Sequence, residues 1–269
     1  MVVQHNMQAA NTNRMLGQNV KAVAKTTEKL SSGYAVNRAA DDAAGLSISE
    51  KMRNQIRGIN QAVKNAEDGV SLIQTAEGNM NEIHNVLQRM GELATKAAND
   101  VNATEDRTAI KNEIDELVSE ISSIAGKAAF NGTKLLDGNF SKQLQVGAVA
   151  GENMKISIGG MGATALGVNS LSVADHDNAS TSMSAITNAI KSVSSARSLL
   201  GAKQNRLEYT ISNLENYSEN LTAAESQIRD TDMASEMTKY TKNNILQQAA
   251  QSMLAQANQS TQGVLALLQ

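Results

Sequence analysis

Three histidines and one acidic run are the residues of this chain whose types could support catalysis or metal binding. His5, His84 and His176 lie far apart in the sequence, and none belongs to an HExxH motif or another metal-site spacing. The run Asp175–Asp177 places two carboxylates beside His176. Two or three adjacent ligands without more distant ones make a weak site, so we interpret this run as a polar surface turn and expect no metal.

A glycine pattern, Gly160-x-Gly162-x-x-Ala165, imitates a dinucleotide-binding fingerprint after a possible strand. A true fingerprint lies in a βαβ unit and opens a helix, and the sequence predicts neither here. We expect Gly159–Gly167 to be flexible instead. The chain has no cysteine, which excludes thiolate and disulfide chemistry. No cofactor is predicted, and an enzyme is the least favoured class.

The composition favours long packed helices. Aromatic residues make up 2% of the chain, and tryptophan and proline are absent. Small and aliphatic side chains and methionine carry the apolar content, as in closely packed helix seams. The net charge of -3 gives no reason to expect nucleic-acid binding. No run of about 18 apolar residues is present to span a membrane, and Met1–Met7 lacks the features of a secretory signal.

The other elements must be arranged around one long helix, Leu46–Ala97, in which apolar residues recur every three or four positions. This spacing is typical of a coiled-coil seam. The predicted seam residues are Ile48, Met52, Ile56, Ile59, Val63, Ala66, Val70, Ile73, Met80, Ile83, Leu87, Met90, Ala94 and Ala97. Between its two blocks the seam either keeps the heptad through Glu77 or slips through Ala76, a local irregularity. Asp42 or Ser47 is the N-cap. Methionines at seam positions are interpreted as core filler.

Shorter patterns predict partners for this helix. The heptad spacing of Ile110–Ile124 predicts a helix that folds back antiparallel on the long one, because short connections favour that arrangement. Ile186–Ile228 keeps heptad phase as a long but diluted seam. Leu144–Val146 and Lys155–Ile158 alternate around a glycine-rich segment, which predicts a β-hairpin.

Both ends of the chain carry amphipathic helices that are too thin to bury their apolar faces alone. The first ends at Gly33, a C-cap signal, and the last begins after Asp232. Asn13 and Thr27 fall in the first seam, where polar residues favour one register at a cost in stability. The apolar residues at the seam positions of these two helices include Leu16, Val20, Val23, Leu30, Leu246, Ala250, Met253, Ala257, Val264 and Leu268.

These patterns predict a mainly α fold, a long antiparallel coiled-coil bundle with a small β-hairpin. The terminal helices would become ordered when the opposite terminus and neighbouring copies cover them.

The chain resembles bacterial flagellin over nearly its whole length. The N-terminal segments that carry the resemblance are Leu30–Gly33, Asp41–Leu46, Gln55–Gly58, Asn65–Gly69, Gln74–Gly78 and Asn81–Ile83. The C-terminal segments are Ala223–Ser226, Ile228–Asp230, Ile245–Ala249, Leu254–Asn258 and Val264–Leu268. Gln227 departs from the basic residue usual in the family.

The resemblance implies a structural subunit of the extracellular flagellar filament, a helical homo-oligomer, exported without a cleaved signal peptide. It also implies that the terminal helices pair as an inner coiled coil, in a discontinuous terminal domain at residues 1–33 and 233–269, and that the seam residues of these helices named above support polymerisation. The outer rod domain is then expected at residues 34–232, with the hairpin around residues 140–160. The variable outer domains that usually project from the filament are missing, because few residues separate Ala125 from Ser180. The partners implied are an export chaperone and the type III export apparatus, hook-associated and cap proteins, and Toll-like receptor 5. Neither nucleic acid nor a membrane is implied.

Gln88–Ala94 matches the stretch by which family members dock on Toll-like receptor 5. The resemblance implies that Arg89 and Leu93 are an anchoring pair and that Glu113 contributes from the facing helix. Gly91 departs from the basic residue frequent there and costs about 1 kcal/mol of helix propensity relative to alanine. Read without the family, Arg89 and Glu113 are a solvated helix face or an intersubunit salt bridge.

Two other interpretations remain open. A hook-filament junction protein shares the terminal helices, although the dense match through Asp41–Ile83 favours the filament protein. A cytoplasmic coiled-coil signalling rod would share the heptads but would need a sensor, membrane-spanning or output domain, and the sequence predicts none.

Overall fold

The computed structural model describes residues 6–267, and it describes the side chains of residues 6–260. Its helices are α1 (Met7–Ser32), α2 (Ala43–Ala97), α3 (Thr104–Lys127), α4 (Ala163–Leu166), α5 (His176–Arg229) and α6 (Met233–Leu267). Two antiparallel strand pairs complete it, β1 (Ala129–Phe130) with β2 (Thr133–Lys134) and β3 (Ser141–Gln145) with β4 (Asn153–Ser157). The predicted mainly α fold is confirmed. His5, Leu268 and the side chain of Val264 lie outside the described residues.

The chain divides into two compact units. The first joins the N-terminal part of the chain up to Asn54 with the C-terminal part from Asn220 onward. The second is Gln55–Glu219. Both boundaries fall inside long helices, so the first unit contains more of the chain than the terminal domain predicted at residues 1–33 and 233–269.

In the second unit, α2, α3 and α5 bury one hydrophobic core. Between Ile59 and Ala97, one series of buried residues of α2 alternates steps of three and four, and its members are Ile59, Ala62, Ala66, Gly69, Ile73, Ala76, Met80, Ile83, Leu87, Met90, Ala94 and Ala97. Helix α3 adds Ile110, Ile114 and Ile121, and α5 adds Ile186, Val193, Leu200 and Leu207. Every one of these residues is buried, so the apolar seams of the second unit are covered by elements of the same chain.

Of the two residues that the sequence offered for the middle of the long seam, Glu77 and Ala76, the structure buries Ala76, and the irregularity expected there is absent. Ala76 is fully buried, whereas the adjacent Glu77 is only partly covered and pairs with Arg197 at 3.3 Å. The buried heptad is continuous because it runs through Ala62 and Gly69 and not through the adjacent Val63 and Val70. Gly69 shows the reason, since a Cβ there would collide with Leu144 of β3. Small residues at these positions let the neighbouring elements approach closely.

Two hairpins pack on this core. β3 and β4 lie where a hairpin was predicted, and Met154 and Ile156 of β4 are buried. The β1–β2 hairpin was not predicted. Its two-residue turn has positive φ at Asn131 (47°) and Gly132 (75°). Asn-Gly is the preferred sequence for such a turn, so the signal was present in the sequence.

The segment Gly159–Gly167, predicted to be flexible, is packed. Met161 and Ala163 are buried. A Cβ on Gly138 would lie 3.2 Å from the backbone nitrogen of Gly160, so these glycines allow two backbones to approach each other. The glycine pattern therefore serves packing, and α4 after it is only four residues long.

The acidic run Asp175–Asp177 is exposed, as predicted, but it includes the start of a helix, because α5 begins at His176. His176 Nδ1 lies 2.7 Å from the carbonyl oxygen of Ala98, just past the end of α2. Arg107 donates a 3.0 Å hydrogen bond to the carbonyl oxygen of Ala174. Both side chains satisfy backbone carbonyls at chain turns. The described residues contain no group of three or more potential metal ligands.

In the first unit, the chain between α1 and α2 is fixed by caps and ion pairs. Gly33 adopts a left-handed conformation (φ 76°) and its N–H bonds the carbonyl of Lys29, which confirms the predicted C-cap. Asp42 caps α2 by accepting hydrogen bonds from the N–H groups of Ala44 and Gly45, at 3.0 and 2.9 Å. Asp42 is therefore the cap, not Ser47.

The end of α5 closes this unit. Tyr34 forms an isolated antiparallel bridge with Asp230. The guanidinium of Arg229 lies 4.8 Å from the centroid of the Tyr34 ring, in cation–π range, and its Nη1 is 2.6 Å from Glu50 Oε1. Within residues 6–267, no helix is both long and apolar enough to cross a membrane.

The position of the α2 seam predicts different effects of substituting two adjacent residues. Ala76→Glu should lower the free energy of unfolding of the monomer by about 3 kcal/mol or more, because it buries an unpaired charge. Glu77→Ala removes only a partly exposed ion pair and should cost less than about 1 kcal/mol. Urea unfolding of both variants measures the difference, and a larger loss for Glu77→Ala would show that the seam is wrongly assigned.

The pair of Lys25 and Asp41, 2.8 Å apart, predicts a shifted titration. The hydrogen bond from Lys25, followed by that from the Arg38 N–H, lowers the pKa of Asp41. The ion pair stabilises the folded state at pH values above the unfolded-state pKa of Asp41. This stabilisation is lost as the pH falls through the lower folded-state pKa of Asp41. Lys25→Met should therefore raise the Asp41 pKa, as followed by NMR titration, whereas Lys21→Met should leave it unchanged. An Asp41 pKa indifferent to Lys25→Met would contradict the pairing.

Candidate assembly interface

Helices α1 and α6 pack against each other. The Asn6 side chain, which caps α1 by accepting from the Ala9 N–H, also donates a 3.0 Å hydrogen bond to the carbonyl of Ala257. Farther along α1, Asn19 donates to the carbonyl of Leu246 at 3.4 Å. Increasing residue numbers in α1 meet decreasing numbers in α6, so the two helices are antiparallel. The predicted pairing of the terminal helices is confirmed.

The seam between these helices is mostly small and polar. The residues of α1 that are at least partly buried at heptad spacing are Ala9, Thr12, Leu16, Asn19, Val23, Thr26 and Leu30. Those of α6 are Glu236, Tyr240, Asn243, Gln247, Ala250, Leu254 and Ala257. Polar residues at seam positions reduce the stability of a coiled coil, so this pair gains less from its own contact than an aliphatic seam would.

The predicted polymerisation residues therefore separate into two groups. Five of them lie in the α1–α6 seam, and they are Leu16, Val23, Leu30, Ala250 and Ala257. Three are exposed, and they are Val20, Leu246 and Met253. Asn13 and Thr27, also placed in the seam from the sequence, are exposed as well, because Thr12 and Thr26 take the inward positions.

Large apolar side chains are concentrated on the outside of this helix pair. We call them the terminal apolar surface, and its residues are Met7, Met15, Val20, Met233, Met237, Ile245, Leu246 and Met253. They are eight of the fourteen exposed large hydrophobic residues among the described side chains. Extensive exposed apolar surface usually marks a place where another molecule binds.

The terminal apolar surface lies on more than one side of the pair. Val20 follows Met7 by 13 positions. At about 100° per residue, their side chains leave α1 roughly 140° apart. One partner bound to one face would not cover both, so this arrangement suits a molecule with neighbours on several sides.

The residues implied as receptor contacts lie on α2 and α3. Arg89 Nη2 is 2.9 Å from Glu113 Oε1, and Arg89 Nη1 is 3.1 Å from Glu92 Oε2. The hydrogen bond that Arg89 donates to Glu113, followed by the one that it donates to Glu92, raises the pKa of Arg89. The Arg89 side chain is 53% exposed. The structure thus brings Arg89 and Glu113 together on a solvated face, where they form an ion pair within the chain.

Leu93 does not join this pair. It is 4% exposed and belongs to the hydrophobic core of the second unit. Gly91 is partly buried, and a Cβ there would lie 3.8 Å from Ile186 Cγ2, so a side chain at this position would make an ordinary contact. The neighbouring surface is therefore charged, and Leu93 adds little apolar area to it.

The exposed methionines are the feature that the sequence analysis missed. Met80 and Met90 are fully buried, as core filler should be, but Met253 is exposed although it was placed in a seam. Met7 and Met15 lie off the predicted seam of α1, and that offset was the available signal. A methionine at a position that does not follow the heptad is more exposed than its hydrophobicity suggests.

Comparison with known proteins places the whole chain in one group. A family model described as the bacterial flagellin N-terminal helical region matches residues 3–141, and one described as the bacterial flagellin C-terminal helical region matches residues 183–268. A flagellin of Halalkalibacterium halodurans is 52% identical over all of both chains. A flagellar filament 31.3 kDa core protein of Treponema maltophilum is 46% identical, again over all of both chains.

Among solved structures, the crystal structure of Bacillus cereus flagellin is similar, with a TM-score of 0.51 and 30% sequence identity. The likeness covers 60% of this chain and 94% of that one.

Proposed function

Because the chain belongs to the bacterial flagellin family, we propose that it is a structural subunit that polymerises into the flagellar filament through its terminal helices. Proteins of this family are structural and not enzymes. The observation that carries the proposal is the terminal apolar surface, which the chain leaves open on both α1 and α6.

Assembly follows from how this surface is distributed. Each copy offers apolar residues on several sides of its terminal helix pair, and a neighbouring copy can cover them. When the contact joins different patches of the two copies, it repeats without closing and gives an open helical filament. The relative named as a filament core protein, similar over its full length, supports this form of assembly.

The weak α1–α6 seam supports coupled folding and assembly. Thr12, Asn19 and Thr26 give the pair little apolar burial of its own. Terminal helices of this kind gain most of their stability from tertiary contacts, and the neighbours would supply these when the filament forms. The ordering of the helices then contributes to the specificity of assembly.

A hook-filament junction protein remains the alternative within the flagellum. The relatives reported above are named flagellin or filament core protein, which favours the filament. Electron microscopy of self-assembled material would separate the two functions. An extracellular location, export without a cleaved signal, and binding to an export chaperone, the type III export apparatus, and hook-associated and cap proteins are proposed on the family resemblance alone.

A second proposed function is recognition by Toll-like receptor 5, which the family resemblance implies. The solvated pair of Arg89 and Glu113 supports it, since charged side chains on two adjacent helices can meet complementary groups of a receptor. The buried Leu93 would act by packing α2 rather than by contacting the receptor.

Polymerisation through the terminal apolar surface predicts the effect of one charge placed at two positions. Val20→Asp should reduce the elongation of filament seeds at least about tenfold, because an aspartate would have to be desolvated in the contact. Asn13→Asp adds the same charge to the same exposed helix at a polar position, and it should change elongation much less. Sedimentation after seeding measures both variants.

Circular dichroism must show equal helix content for the two variants before seeding. Equal elongation by both would contradict the role of Val20 as a contact between copies.

Receptor recognition predicts that Arg89→Ala weakens binding of the monomer to the receptor ectodomain about tenfold, as truncation of a moderate contact residue does. Arg57→Ala removes an exposed arginine from the same helix and should leave the affinity unchanged. Surface plasmon resonance with immobilised ectodomain measures both. An unchanged affinity for Arg89→Ala would refute this proposal.

A further inference from the structure

Methionine is the side chain of this protein most open to reversible oxidation. The sequence contains twelve methionines, no cysteine and no tryptophan. Because the chain has no thiol, the sulfur atoms that an oxidant can react with are the thioethers of methionine. Which methionines react then depends mainly on whether solvent reaches their sulfur atoms.

The structure divides the methionines sharply. Met7, Met15, Met233, Met237 and Met253 are between 46% and 73% exposed, and all five belong to the terminal apolar surface. The remaining six described methionines are buried or half-buried, and they are Met52, Met80, Met90, Met154, Met161 and Met183. An oxidant in solvent therefore reaches the methionines of the proposed assembly surface more readily than those of the core.

We propose that these five exposed methionines form an oxidation-sensitive site that controls whether a free subunit can join a filament. This inference rests on the proposed function, since it requires that the terminal apolar surface be covered by neighbouring copies. The oxidant class is a peroxide, and the modified product is methionine sulfoxide.

The reaction is balanced by the peroxide alone. The thioether sulfur attacks one peroxide oxygen, an S–O bond forms and the O–O bond breaks. The sulfur is oxidised by two electrons, and hydrogen peroxide is reduced to water. Reduction of the sulfoxide by two thiols returns the thioether and yields a disulfide and water, so the change is reversible.

The physical effect follows from burial. Methionine suits an adaptable apolar contact because its side chain is flexible and polarisable. A sulfoxide is polar and must lose its hydration when a neighbour covers it, which opposes binding. The five residues are exposed in the free chain, so oxidation should leave the fold of the monomer intact. Once a filament forms, the same contacts should shield the sulfur atoms from peroxide.

The test compares the full-length chain with a variant in which the five residues are leucine, M7L/M15L/M233L/M237L/M253L. Monomers are treated with hydrogen peroxide, freed of it, and added to untreated filament seeds. Mass spectrometry locates the sulfoxides, and sedimentation measures elongation. Two partial variants, M7L/M15L and M233L/M237L/M253L, provide the comparison if the fivefold variant elongates poorly before treatment.

We expect sulfoxides at the five positions of the free wild-type monomer, protection of those positions in assembled filaments, and at least about tenfold slower elongation after oxidation. Methionine sulfoxide reductase with a thiol should restore elongation. The leucine variants should resist the treatment in proportion to the number of methionines removed.

The inference would be overturned if wild-type chains oxidised at the five positions elongated normally, or if oxidation slowed the leucine variants as much as wild type. Either result leaves the proposed function standing, provided that untreated wild type elongates seeds. Untreated wild-type chains that fail to elongate would instead contradict both the proposed function and this inference.

Discussion

The seam of the α1–α6 pair mixes threonines, amides and alanines with a few larger apolar residues, and the five described methionines of these helices lie in solvent. This arrangement departs from the usual pattern of a packed helix, in which most large apolar residues face the partner. Its consequence is a pair that is held together weakly by its own contact and retains much apolar surface for others. Hydrogen bonds from Asn6 and Asn19 to backbone carbonyls of α6 fix the register that the small seam residues alone would define poorly.

The second unit instead buries its large apolar residues between its own helices and strands. From Ile59 to Ala97 the buried positions of α2 keep an unbroken heptad, and α3, α5 and β4 fill the facing space. Its polar side chains at element ends, such as His176 and Arg107, are used to satisfy backbone carbonyls. Such a unit can be stable within one chain, so the two units differ in what they require from neighbours. The contrast explains why one sequence can have both a conventional core and a surface that is suited to polymerisation.

Much of the fold was predictable, and the errors in the helix seams share a cause. The long helices and the β3–β4 hairpin follow from spacing alone. However, steps of three and four often allow either of two adjacent residues to occupy a seam position. Hydrophobicity and regular spacing favour one of them, usually the larger. The structure instead buries the residue one place away, as with Ala62 beside Val63 and Asn19 beside Val20. Close helix packing selects small residues, and hydrophobicity does not report this constraint.

The candidate site was predictable only in part for the same reason. The sequence indicated which helices would meet, but the side that they leave open depends on the seam actually used. Shifting the seam of α6 by one residue moves Leu246 and Met253 from the inside to the outside. Arg89 and Leu93 lie in the same matched motif, so the motif alone does not distinguish the exposed residue from the buried one. The burial of Leu93 depends on how α2 packs in the core.

The most direct measurement is a filament reconstruction at side-chain resolution. We predict that neighbouring subunits cover Met7, Val20, Leu246 and Met253, while Thr12, Asn19 and Thr26 stay in the contact between α1 and α6 of one chain. A filament in which those four apolar side chains remain in solvent, or in which the seam residues contact other subunits instead, would contradict it.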